Sequence, residues 1–144
     1  MNKKFTKNKV VVITGGAKKI GRSTALKLAE QGFNILIHTG GKSINDAKET
    51  IKLIKKFEVK AGHVQGDLAN IKTIKKIKIA AQQLGVPSIL INNAGLRIHD
   101  NFEKIKYKDW KKVMSVNVDA SFLCTQALIG HMTKQKWGRI INIG

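Results

Sequence analysis

Thr14 to Gly21 reads TGGAKKIG, with three glycines around two lysines. Glycine permits a tight turn and a close backbone approach to a ligand. Placed before a helix, such a turn presents unpaired N–H groups and a positive dipole end, a setting that suits phosphate oxygens. Asn92-Asn93-Ala94-Gly95 is a second candidate. Two amides followed by two small residues read as a ligand-contacting turn rather than a plain loop. Asn117 lies in a helix striped with apolar residues, where a polar side chain needs a hydrogen-bonding reason. The four histidines and Cys124 lack metal-ligand spacing, which argues against a zinc site. Cys124 sits among Phe122, Leu123 and Ala127, as a buried structural thiol would.

The elements that must position these residues alternate. Val10 to Ile13 reads as a buried strand, and Ile20 to Gln31 as a helix stopped by Gly32. Asn34 to His38 is a second strand, broken by Gly40-Gly41. Ile44, Ala47, Ile51 and Ile54 recur at helical spacing. A third strand falls near Lys60 to Val64, and Ile71, Ile74, Ile77, Ala81 and Leu84 stripe the next helix. Ser88 to Asn92 is a fourth strand and Arg139 to Ile143 a fifth. Between them a long helix is predicted from Lys108 to Lys134, with Val113, Val116, Ala120, Leu123 and Ala127 on one face. Tyr107 and Trp110 are expected to pack at its start. Strands alternating with helices imply an α/β fold with a parallel sheet and right-handed crossovers. The doubly wound result is Rossmann-type, with helices on both faces, and residues 1–144 form one domain.

The chain has 144 residues, 27 Lys plus Arg, nine Asp plus Glu and a formal charge of +18. Nearly all the basic residues are lysines, spread along the chain in pairs such as Lys55-Lys56 and Lys75-Lys76. A nucleic-acid reader concentrates its basic residues and adds arginine or aromatics for base contacts. Lysines coating solvent faces is the better reading, and no nucleic-acid partner is expected. No apolar run reaches about 20 residues, so no membrane span is expected. The apolar stretch after the basic N-terminus is only Val10 to Ile13, too short for a signal peptide. The single cysteine fits a reducing cytoplasm.

Four ordered stretches carry a resemblance to the short-chain dehydrogenase/reductase superfamily. TGGAKKIG is similar to its TGxxxGxG turn, and Asp67-Leu68 follows the third strand where the family has an acidic residue near adenine. Asn92 to Gly95 matches its NNAG signature, and Asn117 matches the asparagine of its catalytic tetrad. Trp137 to Gly144 (WGRIINIG) resembles the strand leading to the catalytic serine. The resemblance covers essentially the whole chain. Lys19 stands where the family has its middle glycine, as in pteridine-reductase-like members; Asn92 to Gly144 resembles 3-oxoacyl-reductase-like ones.

The resemblance implies hydride transfer between a nicotinamide and a small carbonyl or alcohol substrate. It assigns Thr14, Gly15, Lys19, Ile20, Gly21, Asp67, Leu68, Asn93, Ala94 and Gly95 to the cofactor and Asn117 to catalysis. The second strand ends in His38-Thr39-Gly40-Gly41-Lys42-Ser43, without the acid that binds the ribose hydroxyls of NAD. Lys42 and Ser43 could take a 2′-phosphate, and Lys18, Lys19 and Arg22 add positive charge, so NADP(H) is favoured over NAD(H). Ser43 could instead cap the next helix, and Asp67 could cap the helix near Ile71.

The tetrad's serine, tyrosine and lysine have no counterparts. Tyr107 and Lys111 spell YxxxK, but upstream of Asn117, and read as a chance match. Arg97 and His99, just past the NNAG turn, could meet substrate or merely solvent. The chain therefore reads as the cofactor-binding half of a longer reductase, inactive alone, with the C-terminal part of the fold missing. The complete protein is expected to be a homo-oligomer. A non-catalytic dinucleotide-binding remnant and a basic nucleic-acid-associated protein are the alternatives.

Overall fold

The computed structural model describes residues 3–41 and 43–144. A short helix α1 (Lys3–Thr6) leads into β1 (Lys9–Thr14), α2 (Lys19–Glu30), β2 (Asn34–Thr39) and α3 (Ile44–Ile54). Then come β3 (Ala61–Gln65), α4 (Ile71–Leu84) and β4 (Val86–Asn92). The long helix comprises α5 (Tyr107–Met114), a π-helical segment (Ser115–Asp119) and α6 (Ala120–Lys134), and β5 (Arg139–Asn142) follows. The five strands are parallel in the order β3-β2-β1-β4-β5. The chain thus winds outward from β1 in one direction and then returns to build in the other. The connections that leave the C-terminal ends of β1 and β4 run to opposite faces of the sheet, which is where such sheets bind ligands.

Strand alternation sorts the core into two layers. Val10, Val12, Leu36 and Leu90 face Ile74, Ile77 and Ala81 of α4 and Ala120, Cys124 and Leu128 of α6. Val11, Ile13, Ile35, Ile37 and Ile91 face Ala25 and Ala29 of α2 and Ala47 and Ile54 of α3. Both faces of the sheet are therefore covered, as expected for the doubly wound form. Each fully buried Val, Leu or Ile contributes about 1.5–3 kcal/mol. The small residues Ala25 and Ala29 let α2 lie close to the sheet. Gly32 ends the α2 turn at φ 89°, a conformation that favours glycine. Lys48, Lys52, Lys55, Lys56, Lys72, Lys75, Lys76 and Lys78 are exposed on helix faces, so these charges are solvated rather than gathered into one patch.

The long helix departs from expectation in phase. Its buried residues are Ala120, Cys124, Leu128 and Met132, while Val113, Val116, Leu123 and Ala127 are only half-buried. The π-helical turn at Ser115–Asp119 adds a residue, so one apolar stripe cannot run straight through it. Tyr107 and Trp110 do not pack the helix start: they are 75% and 51% exposed. Tyr107–Lys134 is long and apolar enough to cross a membrane by length and composition alone. Its inner face packs on β4 and α4, as a domain helix does. β5 forms one sheet edge, with Ile141 and Ile143 nearly half exposed.

Candidate functional site

The two candidate turns meet at the C-terminal ends of the neighbouring strands β1 and β4. Thr14, the last residue of β1, is buried, and its hydroxyl accepts from the backbone N–H of Asn93 and of Ala94, both at 3.0 Å. In return the Asn93 side-chain amide donates to the carbonyls of Thr14 (3.0 Å) and Gly15 (3.1 Å). The Gly16 N–H donates to the His38 carbonyl at 3.0 Å, tying the same turn to β2. Each such bond is worth about 0.5–1.5 kcal/mol net. Together they set the spacing of the turns.

The glycines are required by these close approaches. Gly15 has φ +65°, and a Cβ there would lie 3.0 Å from Ala94 Cα. A Cβ at Gly21 would collide with the Gly15 carbonyl oxygen. Lys19, which replaces a glycine of the family pattern, has φ 46°. A left-handed lysine costs roughly 1–2 kcal/mol. Lys18, at the N-cap of α2, makes no side-chain cap bond, so no side chain competes for the first N–H groups of that helix.

These elements enclose a cleft of about 800 Å³. Gly15, Lys19, Ile20, Gly21, Ser43, Asp67, Leu68, Asn93, Ala94 and Gly95 all line it. Thr14 lies beneath, as a support. Lys42 lies outside the described residues. Ser43 stands at the N-cap of α3 without a side-chain cap bond, so it is not spent on capping. Asn70, not Asp67, caps α4, through a 2.9 Å bond from the Lys72 N–H. Asp67 instead accepts from the Ala69 N–H at 2.9 Å.

Asn117 falls in the π-helical segment. Its Oδ1 accepts from the Leu96 N–H at 2.7 Å and its Nδ2 donates to the Leu96 carbonyl at 3.0 Å. This two-point clamp fixes the chain just past Gly95. Arg97 and His99 are exposed beyond it.

The positive charge beside the glycine turn is partly engaged. Lys18 pairs with Asp46 at 2.8 Å, and this hydrogen bond holds the Asp46 carboxyl below the usual range. Arg22 donates to the Ala17 carbonyl (3.0 Å), the Asp46 carbonyl (3.3 Å) and the Glu49 carboxylate (2.9 Å). Lys19 has no ion pair among the described residues.

His38, Gly40, Gly41, Gly66, Leu96, Lys112 and Val116 line the cleft without having been singled out as cofactor residues. For His38 the signal was available: a polar residue ends the otherwise apolar run NILI. It is 2% exposed, and its Nε2 lies 2.9 Å from the Gly66 carbonyl. A carbonyl only accepts, so Nε2 carries the hydrogen and Nδ1 is an acceptor. Nδ1 is buried and has no partner among the described residues. Burial holds the imidazole below its ordinary pKa, against an opposing contribution from the Gly66 bond. Lys112 and Val116 are a turn apart on the long helix, and only its approach to the cleft reveals them.

The remaining reactive groups lie apart from this chemistry. Burial pushes the Cys124 thiol up to about 11, so it is not a nucleophile near neutrality. Lys111 sits 5.5 Å from the Tyr107 ring centroid, and Tyr107 does not line the cleft. Among the described residues no group of three His, Cys, Asp or Glu side chains could hold a metal.

A family model described as short chain dehydrogenase matches residues 9–144. The chain is 36% identical over 140 residues to (2S)-[(R)-hydroxy(phenyl)methyl]succinyl-CoA dehydrogenase subunit BbsD of Thauera aromatica, covering 94% of this chain and 54% of that protein. It is 34% identical over 137 residues to 3-oxoacyl-[acyl-carrier-protein] reductase FabG of Staphylococcus epidermidis, covering 94% and 56%. Among solved structures, acetoin dehydrogenase YohF from Salmonella typhimurium superposes with a TM-score of 0.87 at 36% identity, over 94% of this chain and 54% of that one. An NAD+-bound xylitol dehydrogenase (26% identity; 95% and 53% covered) and an NADPH complex of a metagenomic blue fluorescent protein (30%; 94% and 55%) each give 0.84. The chain spans about half the length of the relatives it matches.

Proposed function

This chain belongs to the short chain dehydrogenase family, and from that premise we propose that it is the cofactor-binding half of an NADP(H)-dependent oxidoreductase. When bound, the nicotinamide supplies or accepts the hydride exchanged with a small carbonyl or alcohol. The observation carrying this reading is the Thr14–Asn93–Ala94 hydrogen-bond set, which joins the glycine turn and the NNAG turn into one cleft. The residues present fit a dinucleotide: Gly15, Lys19, Ile20 and Gly21, at and just before the start of α2, share one cleft with Asn93, Ala94 and Gly95.

In this reading the N–H groups at the start of α2 hold the phosphates, helped by the compact charge of Lys19. Gly15, Ile20 and Gly21 shape that cradle. Leu68, Ala94 and Gly95 wall the cofactor, and Asp67 offers its carboxylate. Asn117 fixes the loop after Gly95 and orders the proton path from the helix side.

NADP(H) is preferred over NAD(H) because the segment after β2 offers no carboxylate to repel a 2′-phosphate, while Ser43 and Lys42 can meet one. The serine, tyrosine and lysine that complete the family's chemistry lie on polypeptide outside these 144 residues, a reading supported by relatives nearly twice as long. The complete enzyme acts in the cytoplasm as a homo-oligomer.

Calorimetric titration with NADPH, NADP+, NADH and NAD+ tests the proposal. NADPH should bind tightest, without carbonyl turnover by this chain alone. Equal or tighter NADH binding refutes the NADP preference, and no binding refutes the cofactor reading. The same absence of turnover is what a non-catalytic dinucleotide-binding protein would show, and turnover restored by the longer polypeptide separates the two.

A further inference from the structure

Lys112 and Val116 lie one turn apart in the long helix, so a single face of that helix addresses the cleft. Val116 is half-buried, whereas Lys112 is exposed and open to a ligand arriving from solvent. Among the described residues three lysines line the cleft: Lys18, Lys19 and Lys112. Lys18 is paired with Asp46 at 2.8 Å, while Lys19 and Lys112 make no ion pair among the described residues. These two stand on opposite walls. Lys19 opens α2, which packs on one face of the sheet, and Lys112 belongs to the long helix, which packs on the other. Asp67 is the one carboxylate lining the cleft among the described residues. A cleft with an unpaired cation on each wall and one carboxylate holds a positive field across its width, focused by its low-dielectric walls. The adjacent Lys111 carries the same charge elsewhere: it sits 5.5 Å from the Tyr107 ring centroid and does not line the cleft.

We propose that Lys112 is an electrostatic steering residue, whose ammonium draws the phosphate-bearing dinucleotide into the cleft from the wall opposite Lys19. This rests on the dinucleotide reading above and adds to it a residue that governs the rate of capture. The chain's formal charge of +18 attracts anions to every face. Lys112 acts through its place on the cleft wall, beyond its share of that sum. Because it is exposed, its field is screened within about 10 Å at 0.1 M salt. It therefore guides the approaching ligand at low salt and contributes little at high salt.

Stopped-flow mixing of the purified chain with NADPH, followed by NADPH fluorescence, compares Lys112→Gln with Lys111→Gln. Each variant removes one charge. Glutamine nearly matches lysine in helix propensity, so both variants should fold with unchanged thermal midpoints. At about 20 mM salt Lys112→Gln should slow association by about twofold to fivefold and change dissociation by less than about twofold. Lys111→Gln should stay close to wild type. The Lys112→Gln deficit should fade as salt rises to about 0.5 M. It should also be larger for NADPH than for NADH, which lacks the charge of the 2′-phosphate. Equal slowing by the two variants would assign the effect to net charge and overturn the proposal. A deficit that persists at high salt, lies in dissociation, or is equal for the two cofactors overturns it as well. Unchanged association in Lys112→Gln overturns it while leaving the cofactor reading intact, and failure of the wild-type chain to bind NADPH overturns both.

Discussion

Asn93 and Thr14 hold each other's backbone. The Asn93 amide donates to the Thr14 carbonyl at 3.0 Å, and the Thr14 hydroxyl accepts the Asn93 N–H at the same distance. The pair bridges strands 79 residues apart in sequence. A ligand site at the switch point therefore needs no induced assembly of its two turns.

Thr14→Val keeps the volume but removes the acceptor for two N–H groups. It should destabilise the fold by about 1–3 kcal/mol, read by urea unfolding, while Thr14→Ser should cost much less. Asn93→Ala should be similarly costly. The double variant should lose less than the two single losses added, because both act on one set of bonds. Simple additivity would contradict the coupling.

Lys19 carries opposing consequences at one position. Its φ of 46° is strained for a lysine and free for glycine. Lys19→Gly should therefore raise stability by up to about 1 kcal/mol while weakening dinucleotide binding several-fold. Thermal unfolding and titration on the same sample separate the two effects. Weaker binding with lower stability would point to a lost structural contact instead.

Much of this was legible in the sequence. The runs Val10–Ile13 and Asn34–His38 are apolar because both sheet faces are buried, and the glycines mark the turn because only glycine fits there. What escaped notice depends on contacts between distant segments. Beyond Ala120 the buried stripe follows Cys124, Leu128 and Met132 at four-residue spacing, and only the packing of α6 on β4 and α4 selects it over Leu123 and Ala127. The pairing of Lys18 and Arg22 with Asp46 and Glu49 appears only once α2 and α3 lie side by side. Formal charge near the glycine turn thus overstates the field offered to a phosphate.

That pairing can be released. Asp46→Asn removes the carboxylate holding Lys18 and should tighten NADPH binding by about twofold to tenfold at low salt, with NADH little changed. The gain should fade as salt is raised. Equal gains for both cofactors would place the freed charge away from the 2′-phosphate.

Acid should weaken the fold through His38. Burial holds its pKa, and that of His63, below the ordinary 6.5. Facing His38, the His63 charge lowers its pKa further, while Asp67 and the Gly66 bond raise it. As pH falls through about 6.5 the unfolded chain takes up these protons before the folded one, so stability declines below that value and is level above it. Urea midpoints between pH 7.5 and 5.5 should fall for wild type and fall less for His38→Asn. A midpoint that rises on acidification would contradict this assignment.

The most direct measurement is titration of the purified chain with NADPH, with Gly21→Ala as the control. The cleft should bind NADPH more tightly than NADH, and Gly21→Ala, whose methyl would meet the Gly15 carbonyl, should abolish binding. Absence of NADPH binding by the folded wild-type chain, or undiminished binding by folded Gly21→Ala, would contradict the central claim that the turn at Thr14–Gly21 and the turn at Asn92–Gly95 form a dinucleotide site.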